Sequence, residues 1–450
     1  GLGDVYKRQD KLLIQKNDKS ICFHFIAVYY YMLVNGICQV FFDYFRRCYC
    51  IMLNFEELSH KLFSLVIFRN LLNDDVIKSF TELADEQKSE KEEVYLYADF
   101  LSKLFAVTDN FSKYVLNAVL EDENAYILNY GHKKLGSHYD EALNMELDTL
   151  NELAAVRSDD VKKSLRLENE SLPGWTTEKT DIKSIYLSRI KNISKTGYGI
   201  WAKYHVFIIK NGDIVPVKYP DTQKLSDFSG YERERSEVID NTKALLKGEP
   251  CNNVLLYGDA GSGKSSTVKA IANEFKDDGL RLIEVKKNQL YSLPDVMDRI
   301  SGNPLKFIIF IDDLSFTKND EDFGALKAIL EGSVNGRAKN IAIYATSNRR
   351  HLVKESFADR DGDDVHIQDT MQELTSLSAR FGLQITFSRP DKNLYSGIVV
   401  ELAKKYGINM PEDKLIMKAE AHALRAGGRS PRTARQFIEY LAYKQDAEKE

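Results

Sequence analysis

The sequence predicts an α/β fold: a parallel sheet flanked by helices, with a mainly helical region before it and further helices after it. Three observations carry this. From about Leu225 the chain alternates strand-like and helix-like runs. Gly258–Ser265 sets a glycine-rich turn between an apolar strand and a helix. The apolar run Phe307–Ile311 ends in two carboxylates, Asp312 and Asp313. Alternation of this kind builds parallel strands joined by crossover helices.

At 450 residues the chain is long enough for two or three domains. Hydrophobic residues make up 43% and charged residues 29%, the balance of an ordinary globular protein. The net charge of −5 argues against a general nucleic-acid binder, which carries a basic surplus.

The first 51 residues differ from the rest. Four of the five cysteines (Cys22, Cys38, Cys48, Cys50) lie there among many Phe and Tyr. Asp4-Val5-Tyr6-Lys7-Arg8-Gln9 looks like a translated transposon end of the kind used in sequencing-library preparation, and the stretch behind it resembles translated A/T-rich DNA. Residues 1–51 are therefore expected to be an artefact, with the native start near Met52. The competing reading makes 21–42 a membrane anchor of about 20 residues. His24, Asn35, Gly36 and Gln39 inside it weigh against that. With the segment removed only Cys251 remains, which fits a reducing cytoplasm and no membrane partner.

Residues 52–197 read as a mainly helical N-terminal domain. Leu58, Leu62, Leu65 and Val66 recur at helical spacing, as do Leu96, Phe100, Leu101, Leu104 and Phe105. The charged stretch Asp85–Glu93 reads as a solvated face or connection, and Leu172-Pro173-Gly174-Trp175 as a break. Within 198–224, Tyr204–Lys210 and Asp213–Lys218 read as strands joined by Asn211-Gly212. That dipeptide suits a tight hairpin because both central residues accept positive φ. A small β element is expected there, between the helical domain and the core at 225–390, with Trp201 and Tyr204 as core or interface aromatics. The core carries strands at Asn253–Tyr257, Leu280–Val285, Phe307–Ile311, Asn340–Ala345 and Leu383–Phe387, and helices at Lys264–Phe275 and Phe323–Glu331. Residues 391–450 are expected to be helical, through Tyr395–Lys405, Asp413–Leu424 and Thr433–Tyr443.

Gly258, Asp259, Ala260, Gly261, Ser262, Gly263, Lys264 and Ser265 spell the phosphate-loop pattern G-x4-G-K-[ST], and Ser266 joins them as a nucleotide contact. Glycines let backbone N–H groups curl around phosphates, and the helix N-terminus adds partial positive charge. Lys264 is expected on the β- and γ-phosphates and Ser265 on Mg²⁺. Carboxylates at the end of an apolar strand reach the same sheet edge, so Asp312 is expected to hold the metal. Asp313 is expected to orient or deprotonate the attacking water. The run Asp359–Asp364 lacks calcium-loop spacing and reads as a solvated loop, and the eight histidines form no zinc motif.

With these residues the chain resembles an AAA+ P-loop ATPase. Thr346-Ser347-Asn348 resembles the family's sensor 1, with Asn348 positioning the lytic water. Ser376–Leu383 (S-L-S-A-R-F-G-L) resembles the arginine-finger segment, which implies that Arg380 reaches the γ-phosphate of a neighbouring subunit. Gly428–Phe437 resembles sensor 2 on a C-terminal helical lid, with Arg432 on the nucleotide and Arg429 as second choice. Leu225–Glu232 resembles the stretch that packs near adenine. Arg349 and Arg350 are read as surface or interface charges. The strings N-V-L-L-Y-G-D-A-G-S-G-K-S-S, I-D-D-L-S-F, A-T-S-N-R-R-H-L, S-A-R-F-G-L and R-T-A-R-Q-F resemble, more narrowly, a bacterial AAA+ family of unknown function over about Tyr198–Leu441. Two departures stand out: Ala379 where an acidic residue is expected, and Asp313 where most AAA+ proteins carry Glu.

The resemblance implies an ATP hydrolase that uses Mg²⁺ to change the shape of a homo-oligomer, a ring or open assembly, acting on an unknown protein client. Two alternatives stay open: a nucleic-acid-associated loader or initiator, disfavoured by the acidic charge, and a nucleotide-dependent binding switch with little turnover.

Overall fold

A computed structural model of the protein describes residues 55, 57–84, 89–130, 135–315, 321–331, 338–348 and 377–447. The expectations for residues 1–51 and Met52, for Arg349 and Arg350, and for the acidic run 359–364 lie outside them. The described chain divides into two units. One holds the residues up to Leu116 together with Asp140–Asp181; the other holds Asn117–Tyr139 and everything from Ile182 onward.

The principal helices of the first part of the chain are α1 (Asp75–Leu83), α2 (Glu90–Phe105), α3 (Phe111–Glu121) and α4 (Ser137–Ala154). The first unit is organised around Phe80, Phe100, Phe111 and Trp175, whose rings meet at 5.2–5.9 Å, mostly edge to face. That geometry suits aromatic quadrupoles. In the same unit the buried Glu146 carboxylate accepts the backbone N–H groups of Val66, Ile67 and Phe68, which pins a turn.

The longer segment of the second unit begins with α5 (Ile182–Lys191) and the strands β1 (Val206–Lys210) and β2 (Asp213–Pro216). The expected hairpin forms, with Asn211 at φ 54° and Gly212 at φ 84°. This small β element also continues into the core. Val206–Ile208 pair in parallel with Leu282–Glu284, so the hairpin extends the main sheet. The reason is packing: Phe207, Ile209 and Ile214 bury their side chains in the same core as Ile283, Phe307 and Trp201.

Next come α6 (Glu232–Lys247), β3 (Val254–Gly258), α7 (Lys264–Glu274), β4 (Leu280–Val285), α8 (Leu293–Ser301), β5 (Lys306–Ile311), α9 (Glu321–Glu331), β6 (Ile341–Ser347) and β7 (Leu383–Phe387). Helices α10 (Lys392–Lys405), α11 (Glu412–Arg425) and α12 (Pro431–Ala447) follow. The seven strands run in the order β2-β1-β4-β5-β6-β3-β7, parallel throughout except for β2. Both faces are covered: Phe307, Ile309 and Ile311 enter one core while Ile308 and Phe310 enter the other. A strand buried on both faces reads as an unbroken apolar run, which is why β5 is so plain in the sequence. The second core also takes Tyr395, Val399 and Leu402 of α10 and Phe437 of α12, which ties the C-terminal helices to the sheet. Among the described residues, no helix is long and apolar enough to cross a membrane.

At the end of β3, Gly258 has φ 135° and lies against the Phe387 backbone of β7, where an added Cβ would collide with the carbonyl oxygen. Gly258→Ala should therefore cost about 3 kcal/mol through strain and forced separation of the strands. An unchanged urea midpoint would contradict this close approach.

Candidate active site

Parallel order brings the C-terminal ends of β3, β6 and β5 side by side. Turns leaving those ends converge at one edge, where α/β sheets place their ligands. The loop after β3 curls through Gly261 (φ 78°) and Gly263 (φ 95°), conformations that glycine adopts without strain, and feeds directly into α7 at Lys264. The backbone N–H groups of this loop and of the first turn of α7 have no intrahelical partner, so they form a natural cradle for an anion.

Lys264 is buried and donates to the carbonyls of Gly258 and Asp259, each at 2.8 Å, and to Asn348 Oδ1 at 3.1 Å. Burial pushes its ammonium below the ordinary lysine range, against the pull of Asp259, Asp313 and Asp312. Asn348 also donates through Nδ2 to Asp313 Oδ1 at 2.8 Å. Its amide is thus oriented by chemistry, with its oxygen toward a cation and its nitrogen toward an anion.

Asp312 Oδ1 accepts from the Ser265 hydroxyl at 2.5 Å, from the Thr346 hydroxyl at 2.6 Å and from the Asp313 backbone N–H at 3.1 Å. The Asp313 N–H is shared with Thr346 Oγ1 at 2.9 Å. Asp313 itself is left-handed, at φ 52°. Asp tolerates that region better than most residues, and such strain persists only where the surroundings over-determine it. Here Thr346 holds its backbone and Asn348 its carboxylate.

These residues line a cavity of about 610 Å³. Ala260, Gly261, Ser262, Gly263, Lys264, Ser265, Ser266, Asp312, Asp313, Asn348 and Arg432 all contribute to its wall, and Gly258 and Asp259 enter through the carbonyls that hold Lys264. The start of α12 is seated on the loop by the Arg432 N–H, which donates to the Gly261 carbonyl at 3.3 Å. Arg429, the second choice for that role, is instead tied to Glu420 by bonds of 2.9–3.1 Å within the helical lid.

Arg380 stands apart. It precedes β7, whose first residue Leu383 pairs with Val254, the first residue of β3. The loop leaves the other end of β3, about 15 Å away at the usual rise per residue. Arg380 is not among the residues that line this cavity.

Five participants were not anticipated. Thr346 donates to the Asp312 carboxylate and accepts the Asp313 backbone N–H, although only its neighbour Asn348 was singled out. Arg435 and Gln436 line the cavity with Arg432, and their spacing of three and four residues on one helix is the signal that marks them. Arg389, just after β7, donates its N–H to Asp259 Oδ2 at 2.9 Å and reaches the Gly427 carbonyl at 2.9 Å, linking loop to lid. Tyr231 fixes the segment before α6 by donating to the Ser388 carbonyl at 2.5 Å and stacking on Phe387 at 5.3 Å.

Residues 202–445, more than half of the chain, match the family described as "Protein of unknown function (DUF815)". The chain belongs to that family. With its phosphate loop, strand order and helical lid, this DUF815 member has the AAA+ P-loop fold that the sequence resemblance implied. It is also similar to the replication factor C large subunits of Staphylothermus marinus (31% identical over 117 residues, 24% of this chain and 27% of the relative) and Methanococcus vannielii (22% over 176 residues, 36% and 34%). The DUF815 chain thus spans about a quarter to a third of the length of these curated relatives. A solved structure titled as the Thermotoga maritima RuvB Holliday junction branch migration motor is similar at 17% identity and a TM-score of 0.33, over 48% of this chain and 63% of that one.

Thr346→Val keeps the shape of the side chain but removes the hydroxyl that Asp312 and Asp313 share. It should lower stability by about 1–2 kcal/mol, the cost of partners left unsatisfied. A denaturation midpoint equal to that of the parent would show that the hydroxyl does not brace the Asp312 carboxylate and the Asp313 backbone.

Proposed function

We propose that this protein is an AAA+ ATPase that binds ATP with Mg²⁺ and hydrolyses it at a site completed by a second copy of the chain. The observation that carries the reading is the single bonded network joining Lys264, Asn348, Asp313, Asp312 and Ser265 at the sheet edge. It sets a cation, a hydroxyl, two carboxylates and an amide around the mouth of an anion cradle.

The donor set fits the metal. The Ser265 hydroxyl and the Asp312 carboxylate are both hard oxygen ligands within hydrogen-bond distance of each other, the kind of pair that holds Mg²⁺ with water and phosphate oxygens. When bound, Mg²⁺ would neutralise charge developing on the β- and γ-phosphates. Lys264 would leave the loop carbonyls for the phosphates, and Asn348 and Asp313, already bonded to each other, would align the attacking water. Asp313 is one methylene shorter than the more usual Glu, and its left-handed backbone carries its carboxylate to Asn348. Arg432 would contact the nucleotide from the lid.

Arg380 lies at the opposite sheet edge from its own loop, so it could offset transition-state charge only in a neighbouring subunit. This supports a homo-oligomer, ring or open, acting on a client. A nucleic-acid-associated loader is the second reading, favoured by the similarity to replication factor C large subunits and opposed by the acidic balance of the chain. A salt-sensitive shift of DNA or RNA by the purified protein would support it.

Lys264→Ala should weaken ATP binding roughly a hundredfold, as expected when a buried charged donor to phosphate is lost. Unaltered affinity in calorimetry would sink the assignment of the site. Asp313→Ala and Arg380→Ala should each be nearly inactive alone. Mixed in equal amounts they should regain activity, because about a quarter of the interfaces would then be complete. No recovery at any ratio would exclude a shared site.

A further inference from the structure

The cavity's lining is of two kinds: Lys264, the loop and the carboxylates are polar, whereas Phe228, Tyr231, Ile398 and Leu402 are apolar. Arg235 of α6 lines this cavity and also the neighbouring one that Glu401 and Lys404 border. A triphosphate seated on the N-terminus of α7 leaves the apolar lining for the nucleoside.

Arg235 is unusual for a cation. Its side chain is only 10% exposed, and its ion-pair partner among the described residues is Glu232, which is 73% exposed and 3.4 Å away. A long contact to so exposed a carboxylate is worth little. The guanidinium lies over the Phe228 ring, 5.7 Å from its centroid. Burial pushes its pKa below the usual arginine range, opposed by Glu232, Glu234 and Glu401. A guanidinium carries five donors and no acceptor, so Arg235 presents donors alone to whatever enters the cavity beside it. The fold therefore holds a desolvated, donor-only group in the cavity wall.

We infer that Arg235 anchors the base of the bound nucleotide by donating to its ring acceptors, an assignment that rests on the nucleotide reading of this site. A base presents in-plane nitrogen or carbonyl acceptors to a planar donor fork, and Phe228 fixes the fork from one face. Triphosphate binding is left to Lys264, the loop and Arg432. Arg235 thus determines selectivity for a base-bearing ligand over its phosphate chain alone.

The test compares ATP with ribose 5-triphosphate, which lacks only the base, by calorimetry on the full chain. The parent protein should bind ATP the more tightly. Arg235→Met keeps the packing over Phe228 but removes the donors. It should weaken ATP roughly ten- to a hundredfold, the range for a charged hydrogen bond, and leave ribose 5-triphosphate within about twofold. Equal weakening of both ligands would assign Arg235 to the ribose or to diffuse charge and overturn the inference, as would no change in either. If the Met variant does not give a cooperative melt, Arg235→Lys retains charge and stem, loses the fork, and should separate the two ligands in the same sense. If the parent protein binds neither ligand, the nucleotide reading fails and this inference with it. If it binds both and the variants do not separate them, the base assignment alone fails.

Discussion

One carboxylate oxygen, Asp312 Oδ1, gathers the Ser265 hydroxyl, the Thr346 hydroxyl and the Asp313 N–H. Those groups leave three different strands, so this acceptor makes the ends of β3, β5 and β6 a single site. An ionised carboxylate can accept several donors at once, and charge-assisted bonds of 2.5–2.6 Å are the strong kind. Everything else about the site follows from the strands arriving in register. Leu256 stands opposite Thr346, and Ile311 opposite Ala345, so the three chains run out of sheet at one level.

The sheet achieves that register through burial. Alternate residues of β5 enter two different cores, and a slip of one residue would exchange them all. The hairpin β1–β2 adds to one core together with Trp201, and the helix α10 adds Tyr395 and Leu402 to the other. Leu402 belongs both to the core and to the cavity wall, so packing of the lid and shaping of the apolar lining are one event. Arg389 and Tyr231 add polar ties at the same edge, joining the loop, β7 and the lid.

The site is polar, strained and self-satisfied. Lys264 occupies loop carbonyls, Asn348 bridges it to Asp313, and Asp313 holds a left-handed backbone. Such a network keeps buried polar groups paired while presenting them to the cavity, and it lets an incoming anion exchange partners without creating an orphan. Strain at Asp313 is maintained by two neighbours, which is how local distortion survives in a folded protein.

Much of this was legible in the chain itself. A doubly buried strand must be continuously apolar, a phosphate cradle needs glycines at fixed spacing, and a helix face repeats every three to four residues. Hence β4 is legible to the residue as a mostly apolar run, β7 as an alternating edge strand, and Lys264, Ser265, Asp312, Asp313 and Asn348 as residues of motifs. What the sequence could not decide was partnership across distance. The hairpin's attachment to β4, the bracing by Thr346, the pairing of Arg429 with Glu420 and the burial of Arg235 beside Phe228 all join residues far apart in the chain or alike in pattern to solvated neighbours. Local periodicity records which face is buried; only the packed sheet decides what lies against it.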